Sequence, residues 1–519
     1  MSGTALDSFM QLKSIDPNFI NASGEPCIVE EECIKGIVKQ LGFDADDDNA
    51  LLTYYQEEET RHWLSLLPPV SVFQQSASYE LEVHLPIDFV TDQLVYRVTT
   101  EAGLQMDELL TATDFPLLAV NEISEVEFQL YSVTLPVQLD LGYHHLALLE
   151  VGNEEPLAVM HLIITPDVCY QSAQIQKDKK VVSTNISLAH LTADKSETNL
   201  LDSIKVQALP ELWTDLYHLD LTAVAEFKHY KTAQDVLEKL NGLTDNDAIT
   251  VIKAKLDVLR VLFDGFNKQE PQNVKDAFST FITDGGIDLK QQASFDALHH
   301  QFLSENKLTD YLNWPADFQS YSSQGTQNWI AENKQEIVFW QYCYWVVKQQ
   351  FEALETLIES QGTTLKYYQQ VVIGASKNSF KMWANSDVYC QGINIEAPLD
   401  WPMTLNESVE YSPLIPDQLY RSGYQAFIKL LQSSMKRTRV LHIKHIAALL
   451  RLWWVPESAQ REQGAFVYYN VYDMLNLLAL ESLRNQCVVV IDAEESLPEG
   501  MHELLLEAGV YSSSLFDFR

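Results

Sequence analysis

The hydrophobic period of this chain changes partway along, and that change limits the folds open to it. From about Tyr79 to Thr165 the period is two: Tyr79, Leu81, Val83 and Leu85 alternate with polar neighbours, as do Val126, Phe128 and Leu130. Such alternation describes strands with one buried face. Further strands are expected around Val95, over His145 to Val151 and over Leu157 to Ile164, the last two joined by the turn-like GNEE at Gly152 to Glu155. Short strands separated by turn signals predict a β-sandwich of about a hundred residues.

On either side of this segment the period is helical. Ahead of it, three acids at Glu30 to Glu32 precede Ile34, Ile37, Val38 and Leu41, which predicts one short amphipathic helix ending at Gly42. The run Asp44, Asp46, Asp47, Asp48, Asn49 lacks the central glycine and bidentate glutamate of a calcium loop, and is expected to be a solvated acidic loop. Beyond Thr165, Ile252, Leu256, Leu259 and Phe263 mark one helix, begun by Thr244 or Asp245 as a cap; Phe339, Trp340, Cys343, Val347, Phe351 and Leu354 mark another. Two apolar strand candidates come late, Val440 to Ile443 and Cys487 to Ile491, with a leucine-rich stretch read as helical between them. Strand, helix, strand is the pattern of β/α units.

The 519 residues carry 73 acidic and 35 basic side chains, a formal charge of −38. That charge repels nucleic-acid phosphates and anionic lipid, so neither is expected as a partner. It serves as a well-solvated surface, or as an acidic interface for a basic protein. No basic start with an apolar core opens the chain, and no apolar run reaches the ~18 residues of a membrane span, so a cytoplasmic protein is expected. The six cysteines (Cys27, Cys33, Cys169, Cys343, Cys390, Cys487) show no Cys-x-x-Cys pair and no histidine at zinc spacing. They are read as reduced, mostly buried thiols, and no metal or cofactor is expected.

Several motifs fall in one order along the chain: Ile15-Asp16-Pro17-Asn18-Phe19-Ile20-Asn21-Ala22-Ser23-Gly24-Glu25-Pro26, Cys169-Tyr170, Phe295-Asp296-Ala297-Leu298-His299, Trp314-Pro315, Leu441 to Pro456, Gln463-Gly464-Ala465 and Leu478-Ala479-Leu480-Glu481-Ser482. Together they resemble the amylomaltases, the bacterial 4-alpha-glucanotransferases. The resemblance implies an α/β fold in which an N-terminal helical segment (1–62) and a β-sandwich (63–166) precede an incomplete, degenerate (β/α)8-type barrel domain (167–519). A C-terminally truncated member is the expectation, because the family's later His-Asp motif has no counterpart.

The same resemblance locates the chemistry and its departures. A retaining glucanotransferase needs one carboxylate to attack the sugar's anomeric carbon and a second to protonate the leaving oxygen. The family's Arg-Ile-Asp-His, which carries the nucleophile, corresponds to His442, Ile443, Lys444 and His445. Lys444 cannot form the glycosyl ester, and an ammonium facing the site would disfavour the oxocarbenium-like transition state. The acid/base glutamate corresponds to Asp492 in Val490-Ile491-Asp492-Ala493-Glu494, one methylene shorter. The substrate loops correspond to Val206 to Pro210, then Asp215 to Asp220, of which Asp220 alone is retained, and to Asn406 through Glu410, which keep neither glycine nor tryptophan.

His445 matches a sugar-contacting histidine of the family; a structural role at a strand end is the alternative. Trp453 and Trp454 are read as core, Arg451 as an anchor for its helix, and His299 and His300 as ordinary helix residues. The site expectations are therefore Asp492 at the acid/base position, Lys444 at the lost nucleophile, and His445 and Asp220 toward glucan. The function expected is that of a catalytically inactive relative, interacting or regulatory, in maltodextrin or glycogen metabolism, with a protein partner or a homo-oligomer. A glucan-binding module and a residual 4-alpha-glucanotransferase activity are the alternatives.

Overall fold

The computed structural model describes residues 4–21, 23–136, 138–172, 216–217, 219–241, 248–306, 310–360, 368–398, 411–436, 438–493 and 497–513. The period-two segment forms two sheets packed face to face. One has five strands in the order Val70–Gln74, Ala158–Thr165, Gly142–Glu150, Leu94–Thr99 and Gln105–Leu110, antiparallel except for its first pair. The other has three antiparallel strands, Glu80–Pro86, Val126–Thr134 and Leu117–Ile123. Inward residues of both sheets, among them Leu81, Val83, Tyr96, Val98, Leu146 and Leu162, share one core. Alternation of polar and apolar residues buries one face of each strand against this shared core.

The expected helix ahead of the sandwich forms as Glu31–Gln40, burying Cys33, Ile34, Ile37 and Val38. The acidic run after it is the expected exposed loop through Asp47, and its end then starts a helix. Asp47 caps a seventeen-residue helix, Asp48–Leu64, by accepting from the Ala50 amide at 3.0 Å, and Asp46 holds Lys35 at 2.7 Å. Carboxylates at a helix N-terminus meet unpaired N–H groups and the positive end of the dipole, which is why this run starts a helix.

The chain forms two compact units, one of Met1–Val181, Lys366–Ala375 and Asp387–Arg519, the other of Val182–Leu365 and Ser376–Ser386. The first contains the sandwich and a four-stranded parallel sheet in the order Tyr368–Val372, Val440–Lys444, Val488–Asp492 and Tyr511–Ser513. The helices Val471–Arg484 and Met501–Glu507 connect its last three strands, giving the expected β/α alternation in an α/β fold. Its apolar face is complete: Leu441, Ile443, Val489 and Ile491 are buried.

The leucine-rich stretch between those strands is only partly helical. Residues Ile446–Leu449 make a 3-10 turn and Arg451–Pro456 is a strand, paired with Ile393–Glu396 on one side and Ala465–Tyr468 on the other. Leu452 to Pro456 are all buried, so the strand shows no alternation and reads like a buried helix in sequence. Trp453 and Trp454 are core, as expected. Arg451, placed on a strand, donates to the Tyr468 hydroxyl at 2.9 Å and lies over the Phe466 ring.

The second unit is helical, with Lys231–Asn241, Ala248–Gln269, Gln272–Asn306 and Lys334–Ser360 as its longer helices. Ile252, Leu256, Leu259 and Phe263 pack with Phe339, Trp340, Cys343 and Val347 in its core. His299 and His300 sit within Gln272–Asn306. Thr244 and Asp245 lie outside the described residues. Each cysteine is a free thiol, and all but Cys27 are buried. Among the described residues no helix is long and apolar enough to cross a membrane.

Candidate functional site at the carboxyl ends of the parallel strands

Residues two apart on a strand share a face. The parallel registers Gln370↔His442, Val372↔Lys444 and His442↔Val490 therefore put Gln370, His442, Lys444 and Asp492 on the face opposite the buried Leu441 and Ile443. Lys444 is the last residue of its strand and Asp492 the last of the neighbouring one. In α/β sheets the carboxyl ends of parallel strands are where loops gather reacting groups.

The contact that organises this face runs between His442 and Asp492. His442 is buried, and its Nε2 lies 3.1 Å from Asp492 Oδ1, short of the alignment of a well-formed hydrogen bond. On the other side of the ring, Gln370 Nε2 lies 3.3 Å from Nδ1. With Nδ1 accepting from the amide, the ring hydrogen sits on Nε2 and faces the carboxylate. Burial pushes the His442 imidazole below its ordinary pKa; Asp492 opposes that push and Lys444 adds to it. His445 is also held low, by burial first and then by Lys444. The cluster at neutral pH is thus one amine, one carboxylate and two neutral imidazoles.

His445 follows the strand with φ 57° and ψ 62°, the left-handed region. For a residue with a Cβ this costs about 1 kcal/mol, and here it turns the chain out of the sheet into the Ile446–Leu449 turn. Among the described residues Lys444 enters no ion pair, and Asp492 is engaged by His442. Sequence reasoning placed Lys444, His445 and Asp492 at this locus but missed the part played by His442 and Gln370. The signal was available for His442, which is two residues before Lys444 and so on its face.

Asp220 is not part of this cluster. It belongs to the helical unit, where Oδ1 accepts from the Thr222 amide at 2.9 Å and hydroxyl at 2.6 Å, capping the 3-10 turn Leu221–Ala223. The loop counterparts Val206 to Pro210, Asp215, His218 and Asn406 to Glu410, together with Glu494, lie outside the described residues. Among the described residues no cluster of histidine, cysteine and carboxylate groups has metal-ligand form.

Residues 206–519 match the profile of glycoside hydrolase family 77, described as 4-alpha-glucanotransferase. The chain belongs to the 4-alpha-glucanotransferase family. Residues 66–166 match the MalQ N-terminal beta sandwich domain, in keeping with the two sheets described above. A 4-alpha-glucanotransferase of Haemophilus influenzae is 26% identical over 316 residues, which cover 58% of this chain and 45% of that protein. The match therefore spans less than half the length of that relative. One of Mycobacterium bovis is 21% identical over 562 residues, covering 97% of this chain and 74% of its own. The crystal structure of amylomaltase from Corynebacterium glutamicum superposes with a TM-score of 0.72 at 16% identity, covering 98% of this chain and 74% of that one. At that identity the likeness is one of fold.

Proposed function

We propose that this chain is a catalytically silent member of the 4-alpha-glucanotransferase family that acts as an interaction or regulatory protein in maltodextrin or glycogen metabolism. One observation supports the reading: Lys444 ends the strand beside the one that ends at Asp492, a carboxylate already engaged by His442, and the sequence resemblance sets that amine where double displacement requires an anionic oxygen. In the first step of such a reaction a carboxylate oxygen bonds to the anomeric carbon, the glycosidic bond breaks, and the leaving oxygen takes a proton from the second acid. A single carboxylate cannot do both, and the positive charge of an ammonium opposes the positive charge that develops on the sugar.

Six free thiols fit a reducing, cytoplasmic setting, and the charge of −38 favours a basic protein partner. The test is incubation with maltotriose followed by chromatographic sizing of the oligosaccharides. The reading expects the trisaccharide unchanged; a ladder of longer and shorter maltodextrins would overturn it.

A further inference from the structure

Two edge strands of the sandwich meet solvent in different ways. Gln105–Leu110, at the end of the five-stranded sheet, carries Asp107 and Glu108, and Arg97 beside it holds Asp107 and Glu154 in ion pairs. Charge of this kind discourages a further strand from adding. Leu117–Ile123, at the end of the three-stranded sheet, has Glu122 as its one charge, no proline and no lysine. We propose that this edge pairs antiparallel with the same edge of a second copy of the chain, about a two-fold axis at Asn121, so that the two three-stranded sheets become one continuous sheet.

The hairpin fixes which backbone groups face outward. Ser124 and Glu125, with φ of 53° and 67°, form a two-residue turn closed by Ile123 and Val126. A turn of that length is closed by a hydrogen-bonded pair, and in an antiparallel ladder such pairs alternate with unbonded ones. Asn121 and Phe128 are therefore a bonded pair, and the N–H and C=O groups of Val120 and Glu122 point away from the neighbouring strand. In keeping with this, the Glu122 amide donates to a side chain, Asn121 Oδ1, at 3.0 Å. A bulge lies between Leu117 and Ala119, which leaves residues 119–123 regular with Asn121 as their midpoint. Pairing about Asn121 sets Val120 of each copy against Glu122 of the other, with both backbone groups of each residue bonded.

The side chains identify the occupant as a second copy. On the inward side of the sheet, one cross-strand row runs Val83, Tyr131, Leu117 and the next Leu85, Gln129, Val120. Val83, Tyr131 and Leu85 are 2%, 4% and 1% exposed, whereas Leu117 and Val120 are each 50% exposed. The edge strand thus carries inward apolar residues past the end of the core. A second copy brings the same overhang, and the two continue each other's apolar surface. In this register Glu122 faces Val120 rather than its own copy, so the one charge on the strand creates no directly opposed like pair. Over the rest of the surface the charge of −38 makes copies repel, which confines their approach to this charge-poor edge. The opposite edge of the same sheet is tied down, the His84 amide donating to the Leu66 carbonyl at 3.0 Å, so the pairing closes at two copies.

The proposal goes beyond the reading of the strand ends and does not depend on turnover. Light scattering from the full chain over about 1 to 200 µM is expected to show the mass rising from one chain to two, with a dissociation constant of about 10 µM, as suits a limited interface. Val120→Glu sets a carboxylate against Glu122 in both symmetry-related contacts and should weaken the dimer at least ~10-fold. Adding Glu122→Lys to that variant places opposite charges in both contacts and should restore the parent constant to within ~3-fold. Position 120 is half exposed, so both variants should melt with the parent at about 1 µM, where the chain is single. Leu109→Glu, on the guarded edge, should leave the dimer unchanged. A parent chain that stays single to about 200 µM would overturn the proposal, and so would a dimer that survives Val120→Glu. A dimer broken by Val120→Glu that the double substitution fails to restore would overturn the pairing about Asn121.

Discussion

The sandwich and the inner face of the parallel sheet are both built from strands, but they are held in different ways. In the sandwich, inward positions such as Val98, Leu146 and Leu162 are apolar and almost wholly buried in one shared core. On the parallel sheet the apolar face, Leu441 and Ile443 with Val489 and Ile491, does the same work. The opposite face carries Gln370, His442, Lys444 and Asp492, whose positions answer to charge and hydrogen bonding. Burial fixes the frame, and the polar face can change chemistry without disturbing it.

Substitutions should divide along this line. Leu162→Ala in the sandwich should cost the most, about 3 kcal/mol for the lost side chain and the cavity, read as a fall in urea midpoint. A loss under ~1 kcal/mol would mean that the sandwich repacks and the contrast is weaker than stated. Acidification comes next. His84 sits buried against His62 and Trp63, and burial, with His62 second, lowers its pKa to about 4. Because the unfolded chain takes up the proton first, stability is complete above about pH 6.5 and falls as the pH drops toward 4, by at most about 3 kcal/mol. The loss should be smaller in His84→Phe; an equal loss in that variant would assign the effect elsewhere.

On the polar face the effects should be smaller. His442→Ala removes the ring between Gln370 and Asp492 and should cost about 1 to 2 kcal/mol, because Asp492 is partly exposed and water can replace its partner. Lys444→Asp should shift stability by no more than about 0.5 kcal/mol, since the side chain is half-buried and at a strand end. It should also fail to give maltotriose disproportionation, because Asp492 still faces His442 and is one methylene short. Transfer activity in that variant would overturn this expectation and would mean that a carboxylate at position 444 suffices beside Asp492.

Legibility followed the same division. Alternation over Tyr79 to Thr165 and the helix Glu31–Gln40 were visible because each buries one face and leaves a period, whereas the strands ending at Lys444 and Asp492 showed as short apolar runs. The strand Arg451–Pro456 was hidden because both its faces are covered, which erases the period. The acidic run was legible as exposed loop through Asp47, but that Asp47 caps the helix begun by Asp48 and that Asp46 pairs with Lys35 depend on local geometry that composition does not record. The resemblance to amylomaltases put Lys444 and Asp492 at the expected site, and the structure sets His442 between Gln370 and Asp492.

What the sequence determined by itself was periodicity, charge and the identity of the residues at the strand ends, all properties of order along one dimension. Which of those residues meet was decided by the parallel register. Gln370, His442 and Asp492 are far apart in the chain, and only hydrogen bonding between neighbouring strands sets them side by side. Contacts across such separations are set by which strands pair and in which register, and the pairing of distant segments leaves no local trace in the sequence.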